Sequence, residues 1–85
     1  MIEAAVREKG LLIDLETRLN SEVGRRIRER RKDRGLTLKQ LANRTGLSVS
    51  LISQIELGKS AASMSTLHKL ATALQVKMTH FFETV

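Results

Sequence analysis

The chain contains no cysteine and no proline, and its few aromatic residues narrow the classes of protein it can belong to. Without cysteine it has neither a disulfide framework nor a thiolate metal site. Its only aromatic residues are Phe81 and Phe82, too few for the stacking platforms of proteins that bind single-stranded nucleic acid. No apolar run approaches the roughly 20 residues that span a bilayer, and the N-terminus has no signal-peptide pattern. We therefore expect a cytoplasmic protein without a membrane partner.

The 85 residues are enough for one small domain, and their formal net charge of +6 is unevenly spread. Residues 1–20 hold three basic and four acidic residues, whereas residues 21–85 hold twelve basic and five acidic ones, an excess of +7. Such a basic segment favours an anionic polymer as partner, although charge of this kind can also serve solubility alone.

Helical spacing of apolar residues and well-placed capping residues predict an all-α fold with five short helices after residue 20. The predicted first residues or caps are Asn20 or Ser21, Thr37, Ser48 and Ser63, and "MTHFF" forms the last turn. The expected buried stripe of the fourth helix is Met64, Leu67, Leu70, Ala71 and Leu74. We expect the domain over residues 21–83, preceded by an N-terminal extension, residues 1–20.

Within that extension, Leu12, Leu15 and Leu19 lie at helical spacing and predict an extra short helix near 11–19. These leucines could either fold back on the domain or contact a second copy of the chain. Phe82, near the other end of the chain, is the alternative contact for a second copy. We expect a homodimer that is weak in free solution.

The stretch "TGLSVSLISQIELGKS", residues 45–60, has four serines but only one acidic and one basic residue. On a helix, Ile52 and Ile55 face the core, and the opposite face is small, neutral and able to hydrogen-bond. An ordinary solvated face would carry lysine and glutamate instead. The short link containing Gly46 makes this helix cross the preceding one steeply, so that it projects from the domain.

The segments "VGRRIRERRKDRGLTLKQLANRTGLSVSLISQIELGKS", "STLHKLATAL" and "FF" together resemble the XRE family, the fold of the lambda repressor and Cro, over about residues 22–83. The resemblance implies a five-helix lambda-repressor-like domain that binds double-stranded DNA sequence-specifically. It also implies a transcriptional regulator, most often a repressor, dimeric on a palindromic operator, with helix 48–57 in the major groove.

The resemblance also assigns roles to individual residues. Base readout falls to Val49, Ser50, Ser53 and Gln54; phosphate contacts fall to Thr37, Lys39, Arg44, Lys59 and Ser60; and Arg31 with Glu56 forms a structural ion pair. The chain departs from the family pattern at Leu38, where many members have a glutamine that contacts the DNA backbone, and at Arg30, which is often leucine.

Besides DNA binding, the sequence leaves one alternative function and two alternatives for the extent of the whole protein. The same fold also serves as a protein-binding module, as in some coactivators and antitoxins. "GLSVSLISQIELGKS" is particularly similar to regulators in which a cupin sensor barrel follows the DNA-binding domain; such a barrel is absent from this chain, which would then be a fragment, or else a short member without a sensor. No catalytic arrangement is present and His68 and His80 are isolated, so we expect no enzyme, metal or cofactor.

Overall fold

The computed structural model describes residues 2–83, with side chains from Asp14 to Glu83. Four α-helices follow one another: α1 (Ile2–Asp33), α2 (Leu38–Thr45), α3 (Val49–Glu56) and α4 (Met64–Leu74). A 3-10 helix, Met78–Phe82, closes the described part of the chain, which contains no strand. The all-α prediction is confirmed, but the predicted count of five helices is not, since the described residues form four α-helices and one 3-10 helix.

The helix start predicted at Asn20 or Ser21 is wrong, because α1 runs without a break from Ile2 to Asp33. The expected short helix near 11–19 lies inside it. A capping residue begins a helix only where the chain before it is not helical, and extending an existing helix costs less than nucleating a new one. An i,i+4 ion pair between Asp14 and Arg18, 3.2 Å apart, lies in this upstream part. A domain boundary at residue 20 remains a prediction.

Side-chain caps begin the three shorter helices at the predicted residues. Thr37 and Gln40 form a reciprocal capping box at α2, with Thr37 N to Gln40 Oε1 at 2.8 Å. The hydroxyls of Ser48 and Ser63 accept from the amides of Leu51 and Thr66. Each cap satisfies an amide that the first helical turn would otherwise leave unpaired.

One apolar core joins all the helices. α1 packs against α3 and the 3-10 helix, and α2 packs against α3 and α4. The buried apolar residues are Val23, Ile27, Leu36, Leu41, Ala42, Ile52, Ile55, Leu67, Leu70, Ala71, Leu74 and Phe81. Met64, predicted in the buried stripe of α4, is instead 66% exposed, because it is the first residue of α4 and lies beyond the edge of the core.

α1 and α3 touch through their backbones at Gly24. A Cβ on Gly24 would lie 2.8 Å from the carbonyl oxygen of Glu56 and would overlap that of Ile55. Since backbone cannot move aside as a flexible side chain can, only glycine allows this approach, and the approach sets how deeply α3 sits on α1.

We predict that Gly24→Ala lowers the free energy of unfolding by about 3 kcal/mol, the upper end of the overpacking range. Gly35→Ala is the matched control. Gly35 has φ +65° and no atom lies within 4 Å of the position that a Cβ would take, so alanine there should lower the free energy of unfolding only through backbone strain, by about 1 kcal/mol. Urea unfolding of both variants measures the difference. Stabilisation by Gly24→Ala, as expected of alanine in an open helix, would contradict the close packing of α1 and α3.

Candidate nucleic-acid interface

The link between α2 and α3 is only three residues long, Gly46 to Ser48, and its geometry is tightly determined. Gly46 has φ +75°, the left-handed conformation that favours glycine, and its amide donates to the carbonyl of Ala42. The Thr45 hydroxyl donates to the Leu41 carbonyl (2.9 Å) and accepts from the Leu47 amide (3.2 Å). These bonds close α2 and turn the chain directly into α3.

α3 divides into a buried face and an outer face. Ile52, Ile55 and Glu56 are buried. Of the predicted base readers, Ser50 is exposed and Val49 is 41% exposed, while Ser53 and Gln54 are half-buried. Ser53 lies to one side of the outer face, where it lines a cleft with residues of α1 and α2. The structure therefore places the four side chains on the outward part of one helix.

Leu57 extends this outer face, although no role was predicted for it. It caps the C-terminus of α3 and is 55% exposed. Its helical spacing from Ser50 and Ser53 already places it on this face in the sequence.

The predicted phosphate contacts fall into separate places. Thr37 and Lys39 are exposed at the start of α2, and Lys59 is exposed in the loop after α3. Arg44 lies at the opposite end of α2, beside His68 and Lys69 of α4. Ser60 is half-buried and lines an apolar groove with residues such as Val23 and Ile55. Ser60 is thus the one predicted phosphate contact that is not exposed.

Arg31 and Glu56 meet beneath α3. Arg31 Nε and Nη2 donate to the two carboxylate oxygens of Glu56 at 2.7 and 2.9 Å, and Nη1 donates to the Leu36 carbonyl at 2.9 Å. The side chains are only 11% and 5% exposed. Hydrogen bonds to Glu56 raise the pKa of Arg31, against the opposing effect of burial. Arg31 therefore stays charged and joins α1 to the segment just before α2 and to the end of α3.

Charge around the helix pair is positive. Glu56 is the only acidic residue between residues 34 and 82, and Arg31 already occupies both its oxygens. The basic residues of that segment are Arg34, Lys39, Arg44, Lys59, Lys69 and Lys77. An anion approaching α2 and α3 therefore meets no free carboxylate from this segment.

The described part of the chain has neither a metal-binding cluster nor a membrane-spanning helix. It contains no group of three or more histidine, cysteine or acidic residues that could hold a metal ion. None of its helices is both long and apolar enough to cross a membrane.

A braced pair of helices, the second of which presents a neutral hydrogen-bonding face in a basic surrounding, defines a DNA-binding helix-turn-helix protein. The HTH_3 family, described as helix-turn-helix, matches residues 27–81, and the chain belongs to this family.

Relatives and solved structures carry the same domain. The chain is 38% identical over 55 residues to the HTH-type transcriptional regulator SutR of Escherichia coli K12, covering 65% of this chain and 31% of SutR. An HTH_3 family transcriptional regulator from Vibrio cholerae superposes with a TM-score of 0.75 at 34% identity, over 79% of this chain and 38% of that one. The restriction-modification controller C.AhdI of Aeromonas hydrophila superposes with a TM-score of 0.72 at 35% identity, over 74% of this chain and 96% of the C.AhdI chain. This chain thus spans about a third of SutR and nearly all of C.AhdI.

We predict that Glu56→Ala destabilises the fold, because it leaves the Arg31 guanidinium buried without its partner. Breaking a buried pair costs about 3–5 kcal/mol, and less where water reaches the pair. The melting temperature should fall, whereas the base preference of the folded protein should not change. Glu83→Ala, which removes an exposed carboxylate, is the control. A Glu56→Ala protein with normal stability but no DNA binding would instead give Glu56 a role in binding.

Proposed function

We propose that this chain binds double-stranded DNA sequence-specifically and regulates transcription, with α3 in the major groove. The observation that carries the proposal is the outer face of α3: neutral side chains able to hydrogen-bond, on a helix held out from the core. A lysine-rich face would bind phosphates of any sequence, whereas hydroxyls and amides distinguish base edges.

Particular readers follow from the chemistry of these side chains. The Gln54 amide suits bidentate pairing with adenine, and exposed Val49 suits contact with a thymine methyl group. Ser50 and Ser53 supply short hydroxyls for either base edges or water-mediated contacts. Thr37, Lys39, Arg44, Lys59 and Ser60 are proposed phosphate contacts, and all of these except Ser60 are exposed.

Repression is the simplest regulatory outcome, because a protein seated on a promoter excludes other proteins from it. In this proposal the chain acts in the cytoplasm as a binding protein rather than an enzyme. For the whole protein the proposal keeps two alternatives: a cupin sensor that follows the domain, or a short family member without a sensor. The segments that match this chain make up 31% of SutR and 38% of the Vibrio cholerae regulator, but 96% of C.AhdI.

The proposed dimer has a structural starting point in an apolar groove. Leu19 of α1, Met64 at the start of α4 and Phe82 of the 3-10 helix line it together. Leu19 and Phe82 are 49% and 42% exposed. One leucine of the predicted N-terminal stripe, Leu19, is thus adjacent to Phe82 on one surface. The Leu12 side chain lies outside the described residues.

Selection of bound duplexes from a random pool tests the proposal and supplies the site for mutagenesis. Gln54→Ala should cost about 1–3 kcal/mol on the selected site and relax preference at one base position per half-site. Lys59→Ala should weaken all duplexes about equally and reduce the dependence of log K on log[salt] by about 0.9 per lost phosphate contact. Affinity lost in both variants without altered base preference would remove Gln54 from the readers. Failure to enrich any duplex, together with tight capture of a protein, would favour the interaction-module alternative.

We predict a monomer or weak dimer in free solution that dimerises fully on DNA. A single module buries only about 600–1,000 Å², so specific binding needs two half-sites about 34 Å apart. Durable interfaces bury about 1,200 Å² or more in total, which the groove around Phe82 alone does not supply. Sedimentation of the full chain and of a chain starting at Asn20 measures this. A tight dimer that survives loss of residues 1–19 would contradict it and assign the interface to the C-terminal patch.

A further inference from the structure

Arg28 of α1 carries a charge that nothing in the described part of the chain neutralises. Six of the eight arginines with described side chains have a hydrogen-bonding or ionic partner: Arg18, Arg25, Arg26, Arg30, Arg31 and Arg34. Arg28 and Arg44 have none. Arg44 was among the predicted phosphate contacts, whereas Arg28 lies before the helix-turn-helix and had no predicted role.

Its neighbours on α1 explain why Arg28 is unpaired. Side chains three and four residues away share a helix face, and for Arg28 these are Gly24, Arg25, Arg31 and Lys32. None is acidic. Glu29, the adjacent carboxylate, bonds to Arg25 Nη1 at 2.5 Å. Three cations therefore surround Arg28 on its own helix, and local ion pairing cannot hold its side chain.

Arg28 also lies beside the outer face of α3. It lines an open cleft of about 160 Å³ with Ser53 and Leu57 of α3 and Leu38 of α2. Arg31 and Glu56 line the same cleft, and the Glu56 carboxylate already accepts two bonds from Arg31. Arg28 thus lines the same cleft as a predicted base reader and as a carboxylate that is already engaged.

We propose that Arg28 contacts a DNA phosphate beside the groove that α3 enters, an inference that rests on the function proposed above. A helix with its side chains is about 10–12 Å wide and fills a major groove of about 12 Å. A side chain from the neighbouring helix therefore meets the wall of the groove, which is phosphate, rather than the base edges at its floor. A guanidinium can pair with two phosphate oxygens at once, and its unpaired state leaves it available.

The position of this contact matters for binding register. Phosphate contacts orient a protein on the duplex without reading its sequence. Lys59 lies in the loop after α3, and Arg28 lies on α1 at the cleft beside α3, so the two cations belong to different elements near the recognition helix. Arg28 would thereby limit the tilt of α3 in the groove.

The test uses the full chain and the duplex obtained by selection. Arg28→Ala should weaken binding about tenfold or more, the usual loss of a charged hydrogen bond, by a similar factor on matched and mismatched duplexes. The dependence of log K on log[salt] should decrease by about 0.9 per half-site. Arg28→Lys keeps the charge and should retain the salt dependence while losing part of the affinity.

Lys77→Ala is the matched control, because it removes an exposed, unpaired positive charge outside the cleft. It should change the salt dependence less than Arg28→Ala does, and neither variant should shift the melting temperature. If Arg28→Ala keeps wild-type affinity and salt dependence while Lys59→Ala weakens binding and reduces the salt dependence, the Arg28 contact is overturned but the proposed function is not. A changed base preference in Arg28→Ala would replace the phosphate contact by base readout. A wild-type chain that binds no duplex would overturn both proposals.

Discussion

The hydrogen bonds of Arg31 hold the functional surface in place. One guanidinium bonds both oxygens of Glu56 and the carbonyl of Leu36, so the end of α3 and the approach to α2 are both tied to α1. The outer face of α3 keeps a single orientation because these bonds fix the positions of the three elements relative to one another. Because the pair is largely buried, water competes weakly for its bonds, and losing either partner would strand a charge.

The same region shows how the protein brings its helices close. Gly24 lets the backbone of α1 lie directly on the carbonyls of Ile55 and Glu56 at the end of α3, about two helical turns before Arg31. Short-range packing and directional hydrogen bonds thus act on the same end of α3. The opposite, N-terminal end is governed by Gly46 and the Ser48 cap. Both ends of an eight-residue helix are constrained, which suits a rigid reading surface.

Acidic residues are concentrated on α1, whereas the segment that contains α2 and α3 is mainly basic. Most acidic residues of the domain lie on α1, where they pair with arginines of the same helix; Glu22 and Glu29 both bond Arg25, which lowers the pKa of Glu22. The segment from 34 to 82 keeps one carboxylate, and it is used internally. Lysines and arginines around α2 and α3 consequently retain their charge for a partner, which is what binding to an anionic duplex requires.

The sequence by itself determined the features that depend on near neighbours: the Thr37 capping box, the Ser48 and Ser63 caps, the short turn containing Gly46, and the helical spacing that puts Ile52 and Ile55 on one face. Each involves groups within four residues, so its energetics can be worked out from spacing. It misplaced the start of α1, because a cap residue such as Ser21 looks the same whether the chain before it is helical or not. Tertiary structure alone decided that Leu19 and Phe82 share a groove and that Arg28 lies beside Ser53. Those relations join residues more than twenty positions apart, and only the packing angles of whole helices set such distances.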